Sequence, residues 1–438
     1  MGGPGVRDLI LAGEARVRTL RRGWRHTDHP RRRHEQQHRP PDDHGRHRPH
    51  PDRVDRGRSG TRRRRPAAHP PGRRPQALAA AGPAGVRRPA RPRRRRGVVA
   101  AATRDGRSWS AAAGVRSTTT RVPARPTDRV RVGSITKPMV ATVVMQLVDE
   151  GRLRLDTKVD QVCPGLLPGH GDITIEQLLS HRSGLPDYVL PLAKQEQAMK
   201  LTVEQSFARR HTDHSLIRLA LTEQVGKPGA AFRYANTNYL VLSQLLQKRT
   251  GQSISDLLTQ RVFRKAGLKG TFYAKERWMP TNSLTEYYVE GPKVVGFRQN
   301  ATLFGAAGAA VSTPDDLNRF MTSLMRGELT SKRSLEQMLR PRSATPMSYG
   351  LGVYSLPDPC YAAPKGKTPK GKGGTNASTR RVYGHNGTTY GTHSASVSTR
   401  DGRRAASASL TGRFFPPSDL TKQPMPDVAV AAALKALC

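Results

Sequence analysis

A serine and a lysine stand three residues apart, Ser134 and Lys137, in RVGSITKPMVATVVMQLVDEGRLRLD, where a run of helical spacing begins. Residues three apart on a helix share a face. The N-terminal end of a helix presents unpaired N–H groups that favour negative charge. A hydroxyl and an amine at such an end are the parts of an activated nucleophile: the amine can take the hydroxyl proton once burial or a nearby cation depresses its pKa. Two later stretches carry further polar groups. RYANTNY supplies Tyr234 and Asn236 ahead of another helical run, and VYGHNGTTYGTHS supplies His385 and Gly387 beside a strand. A phenol, with a reference pKa of about 10, can act as the base instead if Lys137 stays charged and stabilises the phenolate. The residues leave open which of the two is the base, and a coupled pair is expected. Each residue alone also has a plain reading: an N-cap serine, a solvated lysine, a buried tyrosine and a turn histidine.

These groups need elements to hold them. Val140, Val143, Val144, Leu147 and Val148 recur at helical spacing and Gly151 stands at the stop, which predicts an amphipathic helix. Upstream, GVVAAATRDGRSWSAAAGV reads as two strands joined by a turn at Asp105–Gly106. Thr174 followed by Gln177 has capping-box spacing, and Thr313 with Pro314, Asp315 and Asp316 marks another helix start. Strand character returns in SYGLGVYSL, RVYGH, THSASVST and RRAASASLTG, with a hairpin signal at Asp401–Gly402, and DVAVAAALKALC closes as a short helix. Strands at both ends and helices between predict an α+β fold: one antiparallel sheet built from both chain ends, flanked by helices, with a mainly helical insertion at about 156–340. The Lys/Gly-rich YAAPKGKTPKGKGGTNASTR is expected to be a mobile surface loop.

Composition divides the chain sharply. Of its 438 residues, with a formal charge of +42, the first hundred hold 28 Arg, no Lys, no Phe and no Tyr. Nothing there can repay the entropy of ordering, so residues 1–96 are expected to be disordered and residues 97–438 to form the folded domain. An Arg-rich arm can bind nucleic acid, but this one lacks interleaved aromatics, and no nucleic-acid partner is expected. The same composition is what a GC-rich gene yields when translated in the wrong frame upstream of about Gly97. LILAG is too short for a secretory leader, and no stretch is long enough to span a membrane. Cys163, Cys360 and Cys438 lack C-x-x-C spacing, which argues against zinc and allows one disulfide with one free thiol. His211 and His214 read as loop residues without a surrounding ligand framework, so no metal is expected, and no organic cofactor is implied.

Taken in order, S-x-x-K, Y-x-N and H-x-G resemble the motifs of the serine penicillin-recognising family, which includes D-alanyl-D-alanine carboxypeptidases and class C β-lactamases. The resemblance extends through LLSHRSGLPDY, YANTNYLVLSQLL and GAAGAAVSTPDDLNRF and covers about residues 97 to 438. It implies a β-lactamase/transpeptidase-like fold and a serine hydrolase that forms an acyl-enzyme on Ser134, with Lys137 and Tyr234 as its acid–base partners. H-x-G followed by T-x-x-G is more similar to the secreted actinomycete D-Ala-D-Ala carboxypeptidases than to the class C β-lactamases, which carry K-T-G. The implied activity is therefore a carboxypeptidase acting on peptidoglycan stem peptides and acylated by β-lactams. A carboxylesterase or β-lactamase on the same fold is the alternative, because substrate choice lies in loop shape. The resemblance also places Asn236 on Lys137 and on the substrate amide, and makes the backbone N–H groups of Ser134 and Thr388 the oxyanion donors. His385 is expected to hold a proton beside a phenolate or carboxylate, poising Tyr234 and receiving a C-terminal carboxylate. Finally it implies a Cys360–Cys438 disulfide and an extracellular location; Cys163, with no obvious partner, is expected to be a buried thiol, and the protein a monomer.

Overall fold

Alternating small residues at both chain ends pair as one sheet. The computed structural model describes residues 96–290, 293–343, 348–361, 381–414 and 427–438. The expectations of a disordered segment before Arg96 and of a mobile loop after Tyr361 lie outside the described residues. In chain order the strands are β1 (Val98–Arg104), β2 (Arg107–Ala113), β3 (Val130–Arg131), β4 (Phe272–Tyr273), β5 (Glu286–Glu290), β6 (Lys293–Phe297), β7 (Ala310–Ser312), β8 (Tyr354–Pro357), β9 (Arg381–Thr388), β10 (Thr392–Thr399), β11 (Arg404–Thr411) and β12 (Arg413–Phe414). Six of them form an antiparallel sheet of order β2-β1-β11-β10-β9-β8. Its N-terminal pair turns at Asp105 and Gly106, both at positive φ, the conformation a two-residue hairpin loop requires. Pairing β1 with β11 joins the two ends of the domain, as the α+β expectation requires.

The helices labelled below are α1 (Thr136–Asp149), α2 (Thr237–Thr250), α3 (Pro314–Met325) and α4 (Asp427–Leu437). Period-two alternation sends Ala395, Val397, Ala406 and Ala408 to the face covered by α4, where they pack with Ala429, Ala433 and Leu437. The opposite face turns serines toward α3: Ser407 Oγ donates to Asn318 Oδ1 at 2.7 Å, and Ser396 Oγ reaches the Leu317 carbonyl. Side chains this small let a helix approach the sheet closely. Thr313 caps α3 by accepting the Asp316 N–H, and the Thr174–Gln177 box caps helix Ile175–Leu179, both as the sequence predicts.

One expectation is corrected. Helix α1 is not amphipathic in its setting, because every residue from Thr136 to Leu147 is buried. Its polar side chains donate internally: Thr142 to the Pro138 carbonyl, and Gln146 Nε2 to the carbonyls of Arg261 and Leu329. The helix runs through the principal hydrophobic core instead of lying on its surface. SYGLGVYSL is also less regular than expected, since only Tyr354–Pro357 pairs as a strand. No described helix is long and apolar enough to cross a membrane.

Candidate active site

Ser134 lies in the 3-10 turn Gly133–Ile135 that leads into α1, so it precedes the regular helix instead of occupying its first turn. It is partly exposed, whereas Lys137, one turn on, is fully buried. The ammonium has three donors, and three acceptors meet it: Ser134 Oγ at 2.8 Å, Asn236 Oδ1 at 2.8 Å and the Ala307 carbonyl at 2.9 Å. Burial lowers the Lys137 pKa to about 7, and the Asp187 carboxylate opposes that shift. Tyr234 is partly exposed and is hydrogen-bonded to Ser134. Lys137 Nζ lies 4.9 Å from its ring centre. Desolvation pushes the phenol well above its ordinary value, against the effect of the Ser134 hydrogen bond.

Asn236 is the residue before α2, and its orientation is fixed from behind. Its Nδ2 donates to Asp187 Oδ2 at 2.9 Å, and its backbone N–H donates to the same oxygen. Because the carboxylate takes the amide nitrogen, the amide oxygen must face Lys137. Asp187 is itself held by the Val189 N–H, and burial lifts its pKa above the usual carboxylate range. Sequence reasoning missed Asp187, along with His181, which stacks on the Tyr234 ring. Both stand in LLSHRSGLPDY, and no local spacing ties that stretch to RYANTNY. Only the tertiary fold brings them together.

The opposite wall is the edge of β9. Thr388 faces His393 across β10, and the next residue, Thr389, donates its N–H to the Thr392 carbonyl. Antiparallel pairs alternate, so the Thr388 N–H points away from β10, toward the Ser134 turn. The approach there is extremely close. A Cβ on Gly133 would sit 2.8 Å from Thr388 N, and one on Gly387 would sit 1.9 Å from the Val132 carbonyl and 2.8 Å from Ser134 N. Gly387 thus lets β9 lie against the Ser134 turn, with the backbone of Thr388 close to it. Below them, Thr389 donates to Glu286, which is paired with Arg131 in the interior, and Thr392 donates to the Arg131 carbonyl.

His385 departs from its expected role. It is buried, its Nδ1 bonds the Asn386 carbonyl, and its Nε2 lies 3.0 Å from the Tyr349 hydroxyl. A carbonyl can only accept, so Nδ1 carries the proton and Nε2 takes that of Tyr349. Burial, reinforced by the Lys137 charge, lowers its pKa to about 3. The imidazole is therefore neutral and fully engaged, and it cannot supply the positive charge expected for a substrate carboxylate. Its ring centre is 6.3 Å from that of Tyr234.

Away from the cleft, Cys360 and Cys438 form a disulfide. Cys163 is free and only half-buried, its thiol donating to the Gln244 carbonyl. His214 lies in helix Asp213–Ala220 and not in a loop. No group of three or more metal-ligating side chains occurs among the described residues.

The geometry can be set beside known proteins. The family model described as Beta-lactamase matches residues 46–431. The D-stereospecific amidohydrolase from Streptomyces sp. superposes with a TM-score of 0.63 at 28% identity, over 74% of this chain and 90% of that one. The D-aminopeptidase of Cereibacter sphaeroides strain KD131 is 28% identical over 271 residues, 59% of this chain and 49% of its own length. Penicillin-binding protein 4 of Amycolatopsis lactamdurans is 33% identical over 169 residues, 37% of this chain and 41% of its own length. The chain spans about half the length of the curated relatives it matches. It belongs to the β-lactamase family.

Proposed function

We propose that residues 97–438 form a serine acyl-transfer hydrolase that cleaves amide bonds beside D-amino acids, with the D-alanyl-D-alanine end of a peptidoglycan stem peptide as its substrate. The observation that carries the reading is the Lys137 amine, fully buried and 2.8 Å from Ser134 Oγ. Its pKa of about 7 makes the neutral amine available near neutrality. A neutral amine has two donors and one lone pair. It donates to Asn236 Oδ1 and the Ala307 carbonyl and accepts the Ser134 proton, so the three neighbours match its needs in the reactive form as well. Tyr234, whose proton is held more tightly by burial, is the relay and not the resting base. Ser134 Oγ attacks the carbonyl carbon while its proton passes to Lys137, and the oxyanion is received by the N–H groups of Ser134 and Thr388. The proton then reaches the leaving amine through Tyr234, the C–N bond breaks, and water hydrolyses the ester by the reverse proton path.

A second reading is supported by the neutral His385 and by the Streptomyces amidohydrolase and the D-aminopeptidase: a D-amino-acid amidase, whose substrate has no carboxylate to bind, or an aminopeptidase, which selects the N-terminal residue. The test compares D-Ala release from diacetyl-L-Lys-D-Ala-D-Ala with ammonia release from D-phenylalanine amide and nitrophenol release from short esters. D-Ala release well above the other two is the expected result; preference for the amide replaces the carboxypeptidase by the amidase. Labelling by a fluorescent penicillin that survives in Ser134→Ala overturns both. The disulfide supports an extracellular site of action.

A further inference from the structure

His181 is buried in the turn after helix Ile175–Leu179, at a φ of +56°. It meets the segment carrying Tyr234 at three points. Its carbonyl accepts the Arg233 N–H at 2.8 Å, and its Nδ1 accepts the Ala235 N–H at 3.2 Å. Its ring lies over the phenol, with centroids 4.1 Å apart and planes at 28°. The residues before and after Tyr234 are thus both bonded to this one residue, and the side chain between them is held face-on.

The chemistry of the ring is fixed too. Asn238 Nδ2 lies 3.0 Å from the same Nδ1, and its amide is oriented by Ser183, whose hydroxyl meets Asn238 Oδ1 at 2.5 Å. Two N–H donors converge on Nδ1, so it is an acceptor and the proton of the neutral ring is on Nε2. That Nε2 is buried without a hydrogen-bond partner. A phenyl ring would fill the same space with no orphaned N–H, so what the position requires is an acceptor on the Ala235 side of a flat ring.

We propose that His181 is a positioning residue for Tyr234, holding the phenol hydroxyl on Ser134 while the serine is acylated. The inference rests on the reading that Tyr234 works with Ser134, and the test separates the two.

Nitrocefin acylation of the full chain is followed by stopped flow in wild type, His181→Asn, Tyr234→Phe and the double variant. Asparagine tolerates positive φ and offers an acceptor but no ring. Tyr234→Phe keeps the ring and removes the hydroxyl. His181→Asn should slow acylation about ten- to a hundredfold, as misplacement of a reacting group does, with nitrocefin binding unchanged. In the Tyr234→Phe background the same change should cost less than about threefold, because residues acting through one another are not additive. An equal loss in both backgrounds, or a wild-type rate in His181→Asn, overturns the proposal while Tyr234→Phe remains slow. A wild-type rate in Tyr234→Phe overturns the underlying reading and the proposal with it. His181→Gln is read by the same criteria if the asparagine variant does not fold.

Discussion

The two walls of the cleft are built on different principles. On the helical side, Lys137, Asn236, Asp187 and Tyr234 work through side chains, each oriented by a specific hydrogen bond. On the sheet side, the strand from His385 to Thr388 works through backbone, and its side chains matter chiefly by being absent or neutral. The helical wall should therefore fail when a polar group is removed, and the sheet wall when volume is added. Substitutions that keep shape but remove charge, and the reverse, can break or sharpen that distinction.

The largest loss is expected for Lys137→Met. Removing a general base costs about 10²–10⁴-fold, and a loss of at least a thousandfold in acylation rate is expected because Nζ bonds the nucleophile directly. Stability should fall with it, because the variant leaves the Asn236 Oδ1 and Ala307 carbonyl acceptors and the buried Asp187 carboxylate without their partner. Acylation within about tenfold of wild type in a folded variant would mean that the buried amine is not the base, and the contrast between the walls would lose its first half.

Gly387→Ala tests the other half. The added methyl meets the Val132 carbonyl at 1.9 Å, so β9 must move off the nucleophile turn. Overpacking of this kind costs about 1–3 kcal/mol, and displacing one oxyanion donor costs about a hundredfold in rate. Both losses should appear together, in a melting curve and in acylation kinetics. Wild-type kinetics in a folded Gly387→Ala protein would remove the Thr388 N–H from the site.

A smaller change is expected when Asp187 becomes Asn. In the proposed mechanism Lys137 acts as the neutral amine, so kcat/KM should fall as pH drops through about 7. The Asp187 charge favours the protonated amine and holds that limb up. Without it, ionisation occurs at lower pH and the limb moves to the acid side, with only a few-fold change on the alkaline plateau if asparagine still accepts from Asn236. His385→Gln, on the sheet wall, should leave the limb in place, because that imidazole is already neutral with a pKa of about 3. Parallel pH–rate profiles of the two variants decide it. A limb shifted by His385→Gln and not by Asp187→Asn would reverse the roles assigned to the walls.

The sequence exposed these walls unequally. Ser134, Lys137, Tyr234 and Asn236 stand in short motifs at helix starts, where residue type and spacing carry the information, and the structure brings them within hydrogen-bonding reach. The hairpins, the caps at Thr174 and Thr313, and the joining of both ends in one sheet were equally legible, because turn chemistry and period-two alternation are local. Three things were not. Burial of α1 from Thr136 to Leu147 depends on what packs against its outer face, and its valine pattern is that of any half-exposed helix. The neutrality of His385 depends on its burial and on the nearby Lys137 charge, and the engagement of its Nε2 depends on Tyr349, all of them set by the tertiary fold. Asp187 and His181 contact Asn236 and Tyr234, 49 and 53 residues further along the chain, and no sequence interval encodes those contacts.

The smallest effect on catalysis should come from the Cys360–Cys438 disulfide, which ties the strand region after β8 to the end of α4 across a sequence separation of 78 residues. It lies behind the sheet, where α4 packs on Ala395, Val397, Ala406 and Ala408, and none of its neighbours lines the cleft. Closing a loop of this length removes about 4 kcal/mol of unfolded-chain entropy. Cys360→Ala with Cys438→Ala should therefore lower the urea midpoint measurably while acylation stays within about twofold of wild type. Its neighbours on the sheet side also survive the change, since Arg404 keeps its ion pair with the buried Asp358. If acylation instead falls in step with stability, movement of α4 reaches β9 through β10, and the sheet wall depends on the packing behind it as much as on its glycines.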